Sequence, residues 1–257
     1  MRGGAQSHLM QCRDGFYVVK FRNNPQHPRV LANELVATRL AQAIGLPVPQ
    51  AGIIEVPEWL IQNTPALRIV LGAQETLCES GLHYGSRYVM SPTEGQVFDY
   101  LPANMLGLVR NTSDFLGALV FDKWTCNVDL RQAVFARKGR QRKYQASFVD
   151  HGYCFNAGDW LFDDNPLRGI YPQIEVYVSV SGWESFEPWL SRVEHLDPDV
   201  IFSAANDVPP TWYDSQWNEL ESLAHALVKR RGLVRDLITD FGRSARHPFP
   251  NWDMHQN

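Results

Sequence analysis

The sequence predicts an α+β fold in two lobes, an antiparallel sheet with one helix followed by a mainly helical region. Three observations carry that reading. β-Prone runs separated by turn residues occupy most of 1–91, one strongly helical segment interrupts them, and from Trp183 onward apolar residues recur at helical spacing. Pro92 marks the change of character, so the lobes are expected at 1–91 and 92–257.

The chain opens with a small-residue turn, M-R-G-G-A-Q-S-H, then two β-prone runs, 9–12 and 16–21, on either side of Arg13-Asp14-Gly15. Gly3 and Gly4 let backbone N–H groups approach phosphate oxygens, with Ser7 as a further donor. A Gly pair this close to a terminus is weak evidence, and a flexible end is the plainer reading. In the second strand, alternation places Phe16, Val18 and Lys20 on one face and Tyr17, Val19 and Phe21 on the other. A lysine sharing a face with Phe and Val either snorkels to the edge or meets an anion.

Residues 28–44 form the clearest helix, with Pro28 near the first turn and Gly45 and Pro47 as stop signals. Glu34 lies on the margin of its packed face, flanked by Val30, Leu31, Ala37 and Thr38. It is either a solvated edge residue or the partner that holds Lys20. Further strands are expected at 52–56, 67–71 and 86–90, an irregular segment at 99–110, and a buried helix at 113–126 behind Ser113 as a possible cap.

That helix delivers the chain to Asn127 and Asp129. Residues 133–135 and 144–149 then read as the arms of a hairpin joined by A-R-K-G-R-Q-R-K, so Asp129 and Asp150 are expected at the same end of one small sheet. Two carboxylates held that way have a use. One accepts a proton from an attacking hydroxyl while the other holds a divalent metal, the division of labour in phosphoryl transfer. Each Asp alone is equally a helix or strand boundary residue. Gly152 lets the chain leave the crowded site without a side chain in the way.

Residues 156–172 are expected to be a long ordered loop, and 183–196, 197–205, 213–231 and 233–241 to be helices. Composition narrows the partners. A chain of 257 residues with net charge −4 has no general pull toward nucleic acid or membrane, and the five positive charges of 137–143 read as a solvated hairpin tip without an aromatic platform. Cys12, Cys78, Cys126 and Cys154 form no C-x-x-C pair, which excludes the usual zinc and redox motifs. With no apolar run of membrane-span length and no signal-peptide core, a cytoplasmic location is expected.

Read together, the Gly turn, strand Lys, helix Glu, Asp loop, hairpin and D-x-G follow the order of the protein-kinase-like fold. The segments R-G-G-A-Q-S-H, Y-V-V-K-F, N-E-L-V-A-T-R-L-A-Q-A-I-G-L-P-V-P, F-D-K-W-T-C-N-V-D-L-R-Q and F-V-D-H-G-Y-C-F resemble the HipA-like kinases of bacteria, from Arg2 to about Gly158. The resemblance implies a kinase that uses ATP and Mg2+ to phosphorylate a hydroxyl acceptor, a protein Ser or Thr or a small molecule. It implies that Gly3, Gly4 and Ser7 cover the phosphates, that Lys20 contacts them with Glu34 as its support, and that Tyr88 lies in the hinge beside the adenine. Asp129 is then the catalytic base and Asp150 the metal ligand. Kinase-like loops carry a second metal-binding Asn five residues after the base, where this chain has Val134, so Gln132 is the nearest substitute. Two alternatives stay open: a pseudokinase or nucleotide-binding interaction module, and a plain α/β scaffold in which each acid and base has a structural role. The resemblance also leaves room for a regulatory partner protein. No DNA-reading motif of its own is visible.

Overall fold

The computed structural model describes residues 4–91 and 93–254, so Gly3 lies outside the described residues. The first strands, β1 (His8–Cys12) and β2 (Gly15–Lys20), pair antiparallel through the tight turn, with Leu9 opposite Val18. After α1 (Val30–Ala43) come β3 (Ala51–Val56), a short α2 (Glu58–Asn63), and a hairpin of β4 (Arg68–Leu71) and β5 (Gln74–Leu77). β6 (Gly81–Arg87) then enters the middle of the first sheet, whose order is β1-β2-β6-β3.

The strand expected at 86–90 is thus displaced to 81–87. Its centre is His83 and Tyr84, both buried opposite Ile54 and Ile53 of β3. The apolar Tyr88-Val89-Met90 continues as a connector, in which the Tyr88 N–H donates to the Phe16 carbonyl at 2.8 Å.

Tyr17, Val19 and Phe21 pack with Val56, Ile61, Leu67, Ile69 and Cys78 into a small core under α2 and the β4–β5 hairpin. The larger core lies elsewhere. It joins α1 to the helices of the second half, including α3 (Asp114–Thr125), so α1 is buried nearly all round. Phe115 of α3 meets Phe148 edge-on at 5.1 Å and Tyr171 at 4.6 Å. Burying rings of this size contributes about 1.5–3 kcal/mol each. Ser113 makes no side-chain cap, contrary to expectation, and α3 ends where Cys126 turns into the left-handed region at φ 49°.

Beyond α3, β8 (Gln132–Lys138) and β9 (Gln145–Val149) form the hairpin, with Gln132 opposite Val149. A strand not anticipated, β7 (Gly95–Phe98), pairs with β8 to give the order β7-β8-β9. The region expected as one helix at 183–196 breaks at Pro188, which has no N–H to donate. It forms a 3-10 turn, Trp183–Phe186, and α4 (Trp189–Glu194). In α5 (Pro198–Asn206), Asp197 caps the start through the Asp199 N–H at 2.9 Å. α6 (Trp217–Arg230) starts later than expected because Asp214 and Ser215 have positive φ, and α7 (Val234–Gly242) follows. Among the described residues no helix is long and apolar enough to cross a membrane.

Candidate active site

A cleft of about 230 Å³ separates the β1-β2-β6-β3 sheet from the β7-β8-β9 sheet. Gly4, Ser7, Lys20, Tyr88, Gln132 and Asp150 are among the residues lining it. Lys20 is the junction. Its Nζ donates to Asp150 Oδ1 at 2.7 Å and to Glu34 Oε1, while Glu34 Oε2 accepts the His151 N–H at 3.1 Å. Lys20 is 7% exposed and Glu34 1%, so Glu34 is the partner of Lys20 and not a solvated edge residue.

Burial opposes the Lys20 charge, but the carboxylates of Glu34 and Asp150 outweigh it and hold the ammonium above the ordinary lysine value. Burial likewise raises the Asp150 carboxyl, and Lys20 outweighs it, so Asp150 lies below the usual carboxylate range. The site therefore presents a charged lysine and an ionised aspartate at one end of the cleft.

Asp129 is placed differently. Its side chain is solvent-exposed and lies outside the cleft wall, with Oδ1 accepting the Leu130 N–H at 2.7 Å. Asn127 Oδ1 accepts the Asp129 N–H at 3.1 Å, and the Asp129 carbonyl accepts the Gly169 N–H at 3.2 Å. Both acids nevertheless flank the same end of the hairpin, because Gln132 and Val149 are in register. Arg131, fully buried, ties the two together. It donates to Asp122 Oδ2 at 2.8 Å and to Asp122 Oδ1, and its Nη1 donates to the Val149 carbonyl at 3.0 Å and to His151 Nδ1 at 3.1 Å.

The cleft offers a metal a small set of oxygens. Asp150 supplies a carboxylate and Gln132 an amide, while Val134, on the same face of β8, adds no donor. Among the described residues no group of three His, Cys, Asp or Glu side chains is placed to hold a metal ion by itself. One carboxylate and one amide fit a hard cation such as Mg2+, which completes its coordination with phosphate oxygens and water.

The family model for HipA-like kinases matches residues 1–140, more than half of the chain. The chain belongs to the HipA-like kinase family. Three solved structures resemble this HipA-like kinase over most of its length. The Helicobacter pylori proinflammatory kinase CtkA has a TM-score of 0.56 at 14% identity, covering 91% of this chain and 93% of that one. The Golgi casein kinase with Mn and ADP bound gives 0.54 at 13% identity, with 95% and 72% covered. HipA of Shewanella oneidensis MR-1, in its complex with HipB and operator DNA, gives 0.53 at 12%, with 93% and 66% covered. No curated protein matches the chain. These likenesses show the fold, a kinase-like one.

Several residues at this HipA-like kinase's cleft were not expected there as site residues. Tyr84 and Thr38 line it with their hydroxyls 3.0 Å apart, joining β6 to α1. Asp99, one residue past β7, exposes a carboxylate to the cleft. Arg131, two residues after Asp129, has no sequence signal that marks it as buried. Its burial depends on Asp122, nine residues earlier and on the preceding helix.

Proposed function

We propose that this HipA-like kinase transfers the γ-phosphate of ATP to a hydroxyl acceptor, a protein Ser or Thr, in a reaction that requires Mg2+. The convergence of Lys20, Glu34, Asp150 and Gln132 on one cleft carries the reading. Lys20, released from Asp150 as phosphates enter, supplies a fixed positive charge to them while Glu34 keeps its direction. Asp150 and Gln132 would hold the cation. Mg2+ when bound neutralises charge on the phosphate oxygens.

Gly4, Ser7 and Tyr88 all line the cleft; in this reading Gly4 and Ser7 offer backbone and hydroxyl donors to the phosphates, and Tyr88 on the connector sits beside the base. Asp99 offers an acceptor for the vicinal hydroxyls of a ribose. Asp129 orients the acceptor hydroxyl and takes its proton. Its exposure outside the cleft suits a macromolecular acceptor that approaches from solvent. The Mn and ADP held by one structural neighbour support the nucleotide and cation assignments. A cytoplasmic location and control by a partner protein belong to the same reading, as does the division at 1–91 and 92–257.

Val134 favours a second reading, a pseudokinase that binds nucleotide without transfer, because valine cannot ligate a metal. Calorimetric titration of the full chain with a non-hydrolysable ATP analogue, with and without Mg2+, separates these outcomes. Magnesium-dependent binding weakened by Asp150→Ala is expected, together with autophosphorylation or acceptor labelling lost in Asp129→Asn. Binding without any transfer would select the pseudokinase, and no binding by the folded chain would overturn both readings.

A further inference from the structure

Asn33 stands one residue before Glu34 in α1 and is completely buried. Its Nδ2 donates to the carbonyls of Gly152 at 2.9 Å, Cys154 at 2.9 Å and Ala157 at 2.7 Å, and its Oδ1 accepts Trp160 Nε1 at 2.7 Å. An amide nitrogen has two hydrogens, so three carbonyls share them. A buried amide is costly unless satisfied, and every polar atom of this side chain is engaged with one stretch of backbone and its Trp.

That stretch needs external ties. Asp150, Phe155, Asn156, Ala157 and Trp160 all adopt positive φ, between 54° and 61°. For L-residues each such conformation is disfavoured, so local preference does not hold this path. Three side chains of α1 and its approach supply the ties: His27 Nε2 lies 2.8 Å from the Gly152 carbonyl, Glu34 binds the His151 N–H, and Asn33 grips that same Gly152 carbonyl and two further ones, of Cys154 and Ala157. Asn33 and Glu34 thus hold the backbone of the two consecutive residues immediately after Asp150, Glu34 at the His151 N–H and Asn33 at the Gly152 carbonyl.

We propose that Asn33 is a positioning residue for Asp150, holding the 150–160 segment so that the Asp150 carboxylate meets the cation at the correct angle. The inference rests on the reading of Asp150 as the metal ligand. Groups that orient a metal ligand typically change metal affinity about 10–100-fold when altered.

The test titrates Mg2+ into the full-length protein with a non-hydrolysable ATP analogue, first for wild type and Asp150→Ala. Absence of magnesium dependence there removes the role of Asp150, and this proposal with it, before any Asn33 variant is made. Given that dependence, Asn33→Asp, which keeps the shape but turns a donor toward three carbonyls into an acceptor, should raise the half-saturating Mg2+ concentration by about tenfold or more. Asn33→Ala should do likewise, with nucleotide affinity in the absence of Mg2+ little changed. Ala41→Gly, a buried change farther along α1, supplies the effect of helix destabilisation alone and should leave the Mg2+ requirement at the wild-type value. Trp160→Phe keeps Asn33 but removes the donor to its Oδ1, and is informative even where the Asn33 variants do not fold. It should shift the requirement in the same direction. A wild-type Mg2+ requirement in folded Asn33→Ala, or in Trp160→Phe, would overturn the proposal.

Discussion

Replacing Arg131 by methionine tests whether the two acidic loops are held by one buried ion pair. Arg131 and Asp122 have side-chain exposures of 1% and 0%. The guanidinium makes two bonds to Asp122, one to the Val149 carbonyl and one to His151. Burial alone would disfavour its charge, but Asp122 outweighs that and keeps it protonated. After Arg131→Met, Asp122 retains, among the described residues, only the Asn127 Nδ2 donor at 3.0 Å as a side-chain hydrogen-bond partner. Breaking a buried pair from one side leaves an uncompensated charge, at a cost of about 3–5 kcal/mol. Methionine refills part of the volume, so the lower half of that range is expected. Urea unfolding should show a lower midpoint at unchanged slope. Removing the stranded charge as well, in Asp122→Asn/Arg131→Met, should be less damaging than the sum of the single changes, with a coupling of about 0.5–3 kcal/mol. Loss of less than about 1 kcal/mol in Arg131→Met, or strict additivity in the double variant, would refute the reasoning.

Gln132→Ala should raise the Mg2+ concentration needed for nucleotide binding, and an unchanged titration would mean that water completes the site beside Asp150. Gly152→Ala places a Cβ 2.6 Å from Val30 Cγ2 and 3.3 Å from Glu34 Oε1, so α1 and the Asp150 loop must separate. Overpacking of this kind costs about 1–3 kcal/mol, and a wild-type melting temperature would contradict it. His83 is fully buried, with Nδ1 accepting the Arg22 N–H at 3.1 Å, and burial pushes it down to about 4. The unfolded chain titrates near the ordinary value of about 6.5, so between the two it binds the extra proton. Stability therefore rises with pH across that window, is complete above it, and at pH 4 has lost up to about 3 kcal/mol from this group. Burial lowers His27 and His151 too, with the same sign. The slope of stability against pH should become shallower in His83→Phe, and an identical slope would remove His83 as a source.

The kinase-like order of parts was legible because each part has a local signature. Pro28, the apolar spacing and Gly45 announce α1, and the β-prone run around Lys20 announces β2. The hairpin and its two flanking acids follow from turn residues between apolar runs. Weak or short elements escaped. β7 has only four residues, and its partner strand begins thirty-four residues past its last residue, after all of α3. In β6, His83 disguised a buried strand, while the more apolar residues after Arg87 became the connector.

The residues by themselves determined the types of the main elements and which chemical groups were available: a strand lysine, a helix glutamate, two acids at the ends of a hairpin. Both signals depend on neighbours within a few residues, through helical or alternating periodicity. Only the tertiary structure decided which groups meet. Lys20 reaches Asp150 across 130 positions, and Asn33 reaches Cys154 across 121. It also decided that Asp129 faces solvent and that Arg131 lies buried, although only Leu130 separates them. Those outcomes depend on how the packed helices and the two sheets close around the cleft, and the energy of a buried charge is set by whatever that closure places beside it.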